Sequence, residues 1–170
     1  LKWQEDCFDP DGDGVYESYV NLWPTDSHWY NGGGTAEETS YAYSGHQAAY
    51  EMAIQKGDSV SADFHRKKLR QIKNGFFSKL WISEKGHSGA YREQGGFERL
   101  HEDPWLYSIF LPVDANLVNK EQSISSLFYT QWGLQNDRMA AGGRSVWTSN
   151  WGPGVFSVRE MYPGDNYHLA

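Results

Sequence analysis

Sulfur is nearly absent from this sequence: Cys7 is the one cysteine in 170 residues. An internal disulfide is therefore excluded, and cysteine usage leaves the redox compartment open. No histidine stands near Cys7 in the chain, so it reads as a buried, inert thiol rather than a nucleophile. Positive charge is short as well, with 15 Lys and Arg against 22 Asp and Glu and a net charge of -7. A nucleic-acid partner would call for a basic stripe, so that class is set aside. No run of about 18 apolar residues exists to form a membrane span. Gly32-Gly33-Gly34 lacks the Lys-Ser/Thr of a phosphate loop, and neither Gly-x-Ser-x-Gly nor His-Glu-x-x-His occurs. The first residues do not have the pattern of a signal peptide.

What is abundant is aromatic: 8 Trp and 11 Tyr bring the aromatic share to 16%. These side chains join a flat apolar face to a polar tip, which suits stacking on sugars as well as packing a core. The length fits a single domain with a substantial core.

Local signals predict a chain of helices separated by long loops. Residues 1–34 are loop-dominated, with Leu1 to Cys7 as the end of a helix. Thr35-Ala36-Glu37-Glu38 has capping-box spacing and opens a helix over 36–56 that Gly57 stops. Small and apolar residues surround that helix, which predicts burial on most sides. After a short turn, residues 59–82 form an amphipathic helix. Ala62, Leu69, Ile72, Phe76 and Leu80 make its inner stripe. Residues 83–100 read as a long loop or short strand pair. Pro104 opens a second apolar helix, and Asn119 with Gln122 opens a second amphipathic one striped by Ile124, Leu127, Phe128 and Trp132. A loop over 136–164 leads to a helix start at Asp165. Buried helix then amphipathic helix, twice, predicts an all-α fold with inner and outer helix layers, with long loops and short β pieces at one rim. Parallel inner helices would gather the loops 1–34, 83–103 and 136–164 at one rim.

Two stretches carry candidate chemistry. Asp9-x-Asp11-x-Asp13-Gly14-Val15-x-Glu17 sets oxygen ligands at relative positions 1, 3, 5 and 9, with the Val15 carbonyl at 7 and glycine at the sharp turn. Position 12 is Val20, so the usual bidentate Glu is missing. The pattern fits Ca2+ or a similar hard cation, and equally describes a solvated Asp/Gly turn. Asp26 stands in Trp23-Pro24-Thr25-Asp26-Ser27-His28-Trp29, where partial desolvation would raise a carboxyl toward general-acid duty. Capping a turn or pairing a cation would explain it as well. Glu102 and Asp103 precede Pro104, where carboxylates complement a helix N-terminus. Arg159-Glu160 suits either sugar hydroxyls or an ion pair, and His46 reads as a core histidine.

The segment FDPDGDGVYESYVNLWPTDSHWYNGGG, followed by its small-residue helix, resembles the catalytic domain of (α/α)6-toroid glycoside hydrolases. The likeness is to uncharacterised bacterial toroid glycosidases and, further off, to the bile-acid β-glucosidase, trehalase and processing-glucosidase groups. PWLYSIFLPVDANLVNKEQ and SVREMYPGDNYHLA resemble inner-helix landmarks of such toroids, so the likeness runs through the chain.

The resemblance implies a glycoside hydrolase acting on an oligo- or polysaccharide, secreted or periplasmic. Asp26 would be the general acid. Arg159 and Glu160 would hold sugar hydroxyls, and the loop rim adds Trp23, His28, Trp29, Tyr30, Trp147 and Trp151 as walls for the sugar. Asp9, Asp11, Asp13, Val15 and Glu17 would hold a structural Ca2+. Glycoside hydrolysis needs a second carboxyl, about 5 Å away for retention and roughly 6.5–9.5 Å for inversion. Glu102 is the internal substitute for a residue expected outside these 170. The chain supplies part of a toroid, so the expected partner is the remainder of the same polypeptide, without which stable folding is not expected. The alternatives are a non-catalytic, calcium-stabilised carbohydrate-binding or structural toroid, and a toroid polysaccharide lyase using His28, Tyr30 or His101.

Overall fold

A computed structural model describes residues 1–18, 33–150, 161 and 163–169. The expected 36–56 helix is present as α2 (Ala36–Lys56), and the expected 59–82 helix as α3 (Ser59–Lys79), which stops early because Trp81 and Ile82 enter a strand; the short α1 (Lys2–Phe8) precedes both. Their ends are locally determined. Thr35 accepts the Glu38 N–H at 3.1 Å, Asp58 accepts the Ser61 N–H at 3.0 Å, and Gly57 closes α2 in the left-handed region at φ 70°. The turn joining them is short, and the two helices pack along each other. The predicted α3 stripe does enter the core: Ala62, Ile72, Phe76 and Leu80 are buried. Phe76 and Leu80 meet Val15, Ala36, Ala115, Leu117 and Val118 there. Each of the larger side chains among them contributes about 1.5–3 kcal/mol by leaving water.

The fold is mixed α/β, and this corrects the all-α toroid expectation. Strands β1 (Glu17–Ser18), β2 (Gly33–Thr35), β5 (Tyr91–Glu93) and β6 (Leu100–His101) form a four-stranded antiparallel sheet in the order β1-β2-β5-β6. Glu17 pairs with Gly34, Gly34 with Arg92, and Tyr91 with His101. Two hairpins add β3 (Trp81–Ile82) to β4 (His87–Ser88), and β7 (Asn136–Arg138) to β8 (Arg144–Val146). Strands of two or three residues are too short to show a period of two, so the sequence reads as loop, with a strand pair as the alternative over 83–100 alone. Yet these buried loop backbones must satisfy their N–H and C=O groups, and pairing does so. Gly33 makes the pairing possible, because a Cβ there would lie 1.9 Å from the Arg92 carbonyl oxygen.

The second half holds α4 (Leu106–Asp114), α5 (Lys120–Trp132) and α6 (Pro163–Leu169). Helix α4 is buried from Leu106 to Pro112, with Trp105, Leu106, Tyr107, Phe110, Leu111 and Leu134 in one cluster. Helix α5 opens with a capping box in which Asn119 and Gln122 bond each other's backbone N–H at 2.9 Å. Two expectations about faces fail. The α5 stripe is exposed, with Ile124 and Phe128 each 59% accessible and Trp132 65%, while Ser126 and Thr130 are buried. Helix α2 is not enclosed on most sides, since Tyr41, Met52 and Ile54 are exposed. Periodicity shows which residues share a face, not which face meets a neighbour.

The three long loops are tied together by these strands. The sheet joins the 1–34 and 83–103 loops, and the third reaches them where Trp105 bridges Ser149 and the Leu106 N–H donates to the Thr148 carbonyl at 2.8 Å.

Candidate functional site

The acidic loop runs from the end of α1 into β1 and folds on its own carboxylates. Asp9 accepts the Gly14 N–H at 3.2 Å, Asp11 accepts the Asp13 N–H at 3.2 Å, and Asp13 accepts the Val15 N–H at 2.7 Å. Gly14 takes φ 84°, and a Cβ there would lie 2.5 Å from the Gln71 carbonyl oxygen of α3. Gly75 of α3 is equally tight against the Asp13 carbonyl, at 2.6 Å for an added Cβ. Helix α3 therefore presses directly on the loop, and only glycine fits on either side.

This folding brings carboxylate oxygens of Asp9, Asp11 and Asp13 within 4.8 Å of one another. Val15 and Glu17 line the same cleft of about 220 Å³ as Asp11 and Asp13. Glu17 is buried, and its Oε2 has no hydrogen-bond partner among the described residues. An orphaned buried carboxylate oxygen beside three converging Asp carboxylates is what a hard cation would satisfy. Asp9, Asp11 and Asp13 thus converge, and Val15 and Glu17 border the cleft that Asp11 and Asp13 line. Lys79 of α3 pairs with Asp13, and Arg92 reaches Glu98 at 3.5 Å across the cleft. Burial pushes the Asp9 carboxyl up to about 6, opposed by the Gly14 N–H and assisted by Asp13. Glu17 rises to about 7, again by burial first, with the charges of Asp11, Asp13 and Asp9 adding to it.

The strand that borders this cleft borders a second one. Side chains alternate along an extended chain, so Val15 and Glu17 face the acidic cleft while Tyr16 and Ser18 line the other. The opposite wall of the second cleft comes from α1, through Leu1, Trp3, Gln4 and Phe8, and Glu38 of α2 completes a space of about 630 Å³. Trp3 and Phe8 meet edge to face at 5.7 Å, and Trp3 is 71% exposed, so its ring is an open platform. Tyr16 is buried, and its hydroxyl has no partner among the described residues. Burial holds the Glu38 carboxyl above the usual carboxylate range. Aromatic faces with a few converging polar groups, in a cleft of this size, form the usual make-up of a small-molecule site.

Trp23, Asp26, His28, Trp29, Tyr30, Trp151, Arg159 and Glu160 lie outside the described residues. Glu102 is exposed and receives a hydrogen bond from Lys85 at 2.7 Å, which holds its carboxyl below the ordinary range. An ionised carboxylate is the form a base or nucleophile needs, the role expected of Glu102, but Glu102 lines neither described cleft. Trp147 donates its indole N–H to Asp137 at 2.6 Å in the β7–β8 hairpin region, far in sequence from either cleft. His101 stacks on Tyr91 and bonds Glu93 at 2.9 Å. His46 is a core histidine, 3.0 Å from His65 and 3.3 Å from Glu5, with burial driving its pKa down to about 4.

Two carboxyls were missed by sequence reasoning. Glu37 and Glu38 read as first-turn helix acids, favourable for the dipole wherever they point. Glu37 is in fact buried, accepting the Trp105 indole N–H at 2.9 Å and the Ser108 hydroxyl at 3.2 Å. No local signal marks it, since its partners lie about seventy residues on.

No family model matches this sequence, and no curated protein matches it.

Proposed function

We propose that this chain acts on carbohydrate as a glycoside hydrolase. The observation that carries the reading is the aromatic cleft of Trp3, Phe8 and Tyr16 with the Glu38 carboxyl on its wall. The C–H face of a sugar ring lies well on aromatic rings. Gln4, on the α1 wall, supplies hydrogen bonds to ring hydroxyls. A carboxyl kept protonated by burial can donate a proton to a departing glycosidic oxygen. Burial shifts the Glu38 carboxyl of the described cleft in that direction. The toroid-glycosidase resemblance assigns the acid role to Asp26 on sequence alone, and the two assignments make separate predictions.

We also infer that the acidic loop holds Ca2+ as a structural ion, through Asp9, Asp11, Asp13, the Val15 carbonyl and Glu17. The ion's chemistry there is to neutralise carboxylates that otherwise repel one another.

Reducing-end release from a panel of oligo- and polysaccharides tests the hydrolase reading, using wild type, Glu38→Gln and Asp26→Asn. Loss of the acid should lower kcat about 10²–10⁴-fold in one of the two variants. Wild type that binds saccharides without cleaving any would sink the hydrolase assignment in favour of a binding protein. Unsaturated, ultraviolet-absorbing ends would identify a lyase instead.

A further inference from the structure

The two clefts share their supports. The aromatic cleft is built from α1 on one side and from Tyr16 and Ser18 on the other, and residues 9–15 are the chain that joins these walls. Helix α1 has seven residues, none fully buried, so its position depends on what holds it. Its moorings are the packing of Phe8 against Tyr16, Ala42 and Ile72, and the contacts of Glu5 with Lys68 at 3.1 Å and His46 at 3.3 Å. Asp9 is both the C-cap of α1, its N–H donating to the Glu5 carbonyl at 2.9 Å, and the first oxygen donor of the acidic loop. Glu17 stands between Tyr16 and Ser18 on the strand, with its unpartnered Oε2 beside Asp11 and Asp13.

We propose that cation binding by the acidic loop sets the aromatic cleft, so that Ca2+ and a saccharide bind cooperatively on opposite sides of the same strand. This rests on the carbohydrate reading above. An ion held at once by Asp9 and Glu17 ties the end of α1 to the strand carrying the facing wall. Without it, four carboxylates crowd one loop in which Lys79 pairs with Asp13 alone, and their mutual repulsion weakens the tie between α1 and β1. Coupling is reciprocal: whatever factor Ca2+ adds to saccharide affinity, saccharide adds to Ca2+ affinity.

The test compares the whole protein in calcium chloride and in EGTA. Calorimetry measures Ca2+ binding, amide hydrogen exchange follows residues 1–8, and an array of oligosaccharides reports cleft affinity. Expected are Ca2+ binding, slower exchange across α1 with Ca2+, and saccharide affinity higher by about 5–150-fold. Glu17→Gln should erase the effect. Asp11→Asn, at an exposed position, should do so without the risk of misfolding carried by a buried site. Absence of Ca2+ binding, or binding that leaves exchange in residues 1–8 unchanged, overturns the coupling. So does a saccharide bound equally well in both buffers. If no saccharide binds in either buffer, the carbohydrate reading fails, while the exchange measurement still decides whether the cation orders α1.

Discussion

Replacing Glu37 by Gln should flatten the pH dependence of stability. Glu37 joins the start of α2 to the start of α4 through the Trp105 indole and the Ser108 hydroxyl, and burial pushes its carboxyl from 4.5 up to about 7. The folded state therefore prefers the protonated acid. Its stabilising contribution is fully present below about pH 4.5 and is lost as pH rises through about 7. That interval corresponds to about 3 kcal/mol. A glutamine keeps an acceptor oxygen for Trp105 and Ser108 but never ionises, so it adds only a pH-independent cost. The assay is urea unfolding of wild type and Glu37→Gln at steps from pH 4.5 to 8. Subtracting the two curves removes the titration of Asp9, Glu17 and every other group common to both proteins. The difference should change by about 3 kcal/mol across this range, moving against wild type as pH rises. Parallel curves would refute the claim that Glu37 is buried and titrates near neutrality.

Three further outcomes are expected. Ca2+ affinity measured by calorimetry should rise between pH 5.5 and 7.5, because Asp9 near 6 and Glu17 near 7 must lose protons to bind it. A flat profile would contradict their role as ligands. Gly14→Ala should cost about 2 kcal/mol or more in thermal unfolding, since it strains a positive φ and drives a Cβ into the Gln71 carbonyl. Asn119→Ala should cost about 1 kcal/mol by removing one half of the α5 capping box, and an unchanged Tm would refute that cap.

The sequence was most informative where physics is local. The bounds of α2, α3 and α5 are set by Thr35, Gly57, Asp58 and Asn119 bonding their own neighbours, so those residues can be read in order along the chain. The Asp9–Glu17 loop was legible for the same reason: its spacing and glycine encode a turn that folds on its own side chains. The α3 stripe was legible as residues sharing one face, of which the fold buries Ala62, Ile72, Phe76 and Leu80.

Tertiary structure decided everything that depends on distant partners. The four-stranded sheet pairs Gly33 and Gly34 with Arg92 and Glu93, and no strand period could announce segments of two or three residues. It also chose which faces are wet, leaving the apolar stripe of α5 exposed. The pairing of Glu37 with Trp105, and the meeting of α1 with Tyr16 and Glu38 in one cleft, follow from packing rather than from spacing. Hydrogen bonds one turn apart are written in sequence order, whereas burial of a carboxyl is set by whatever the fold lays over it.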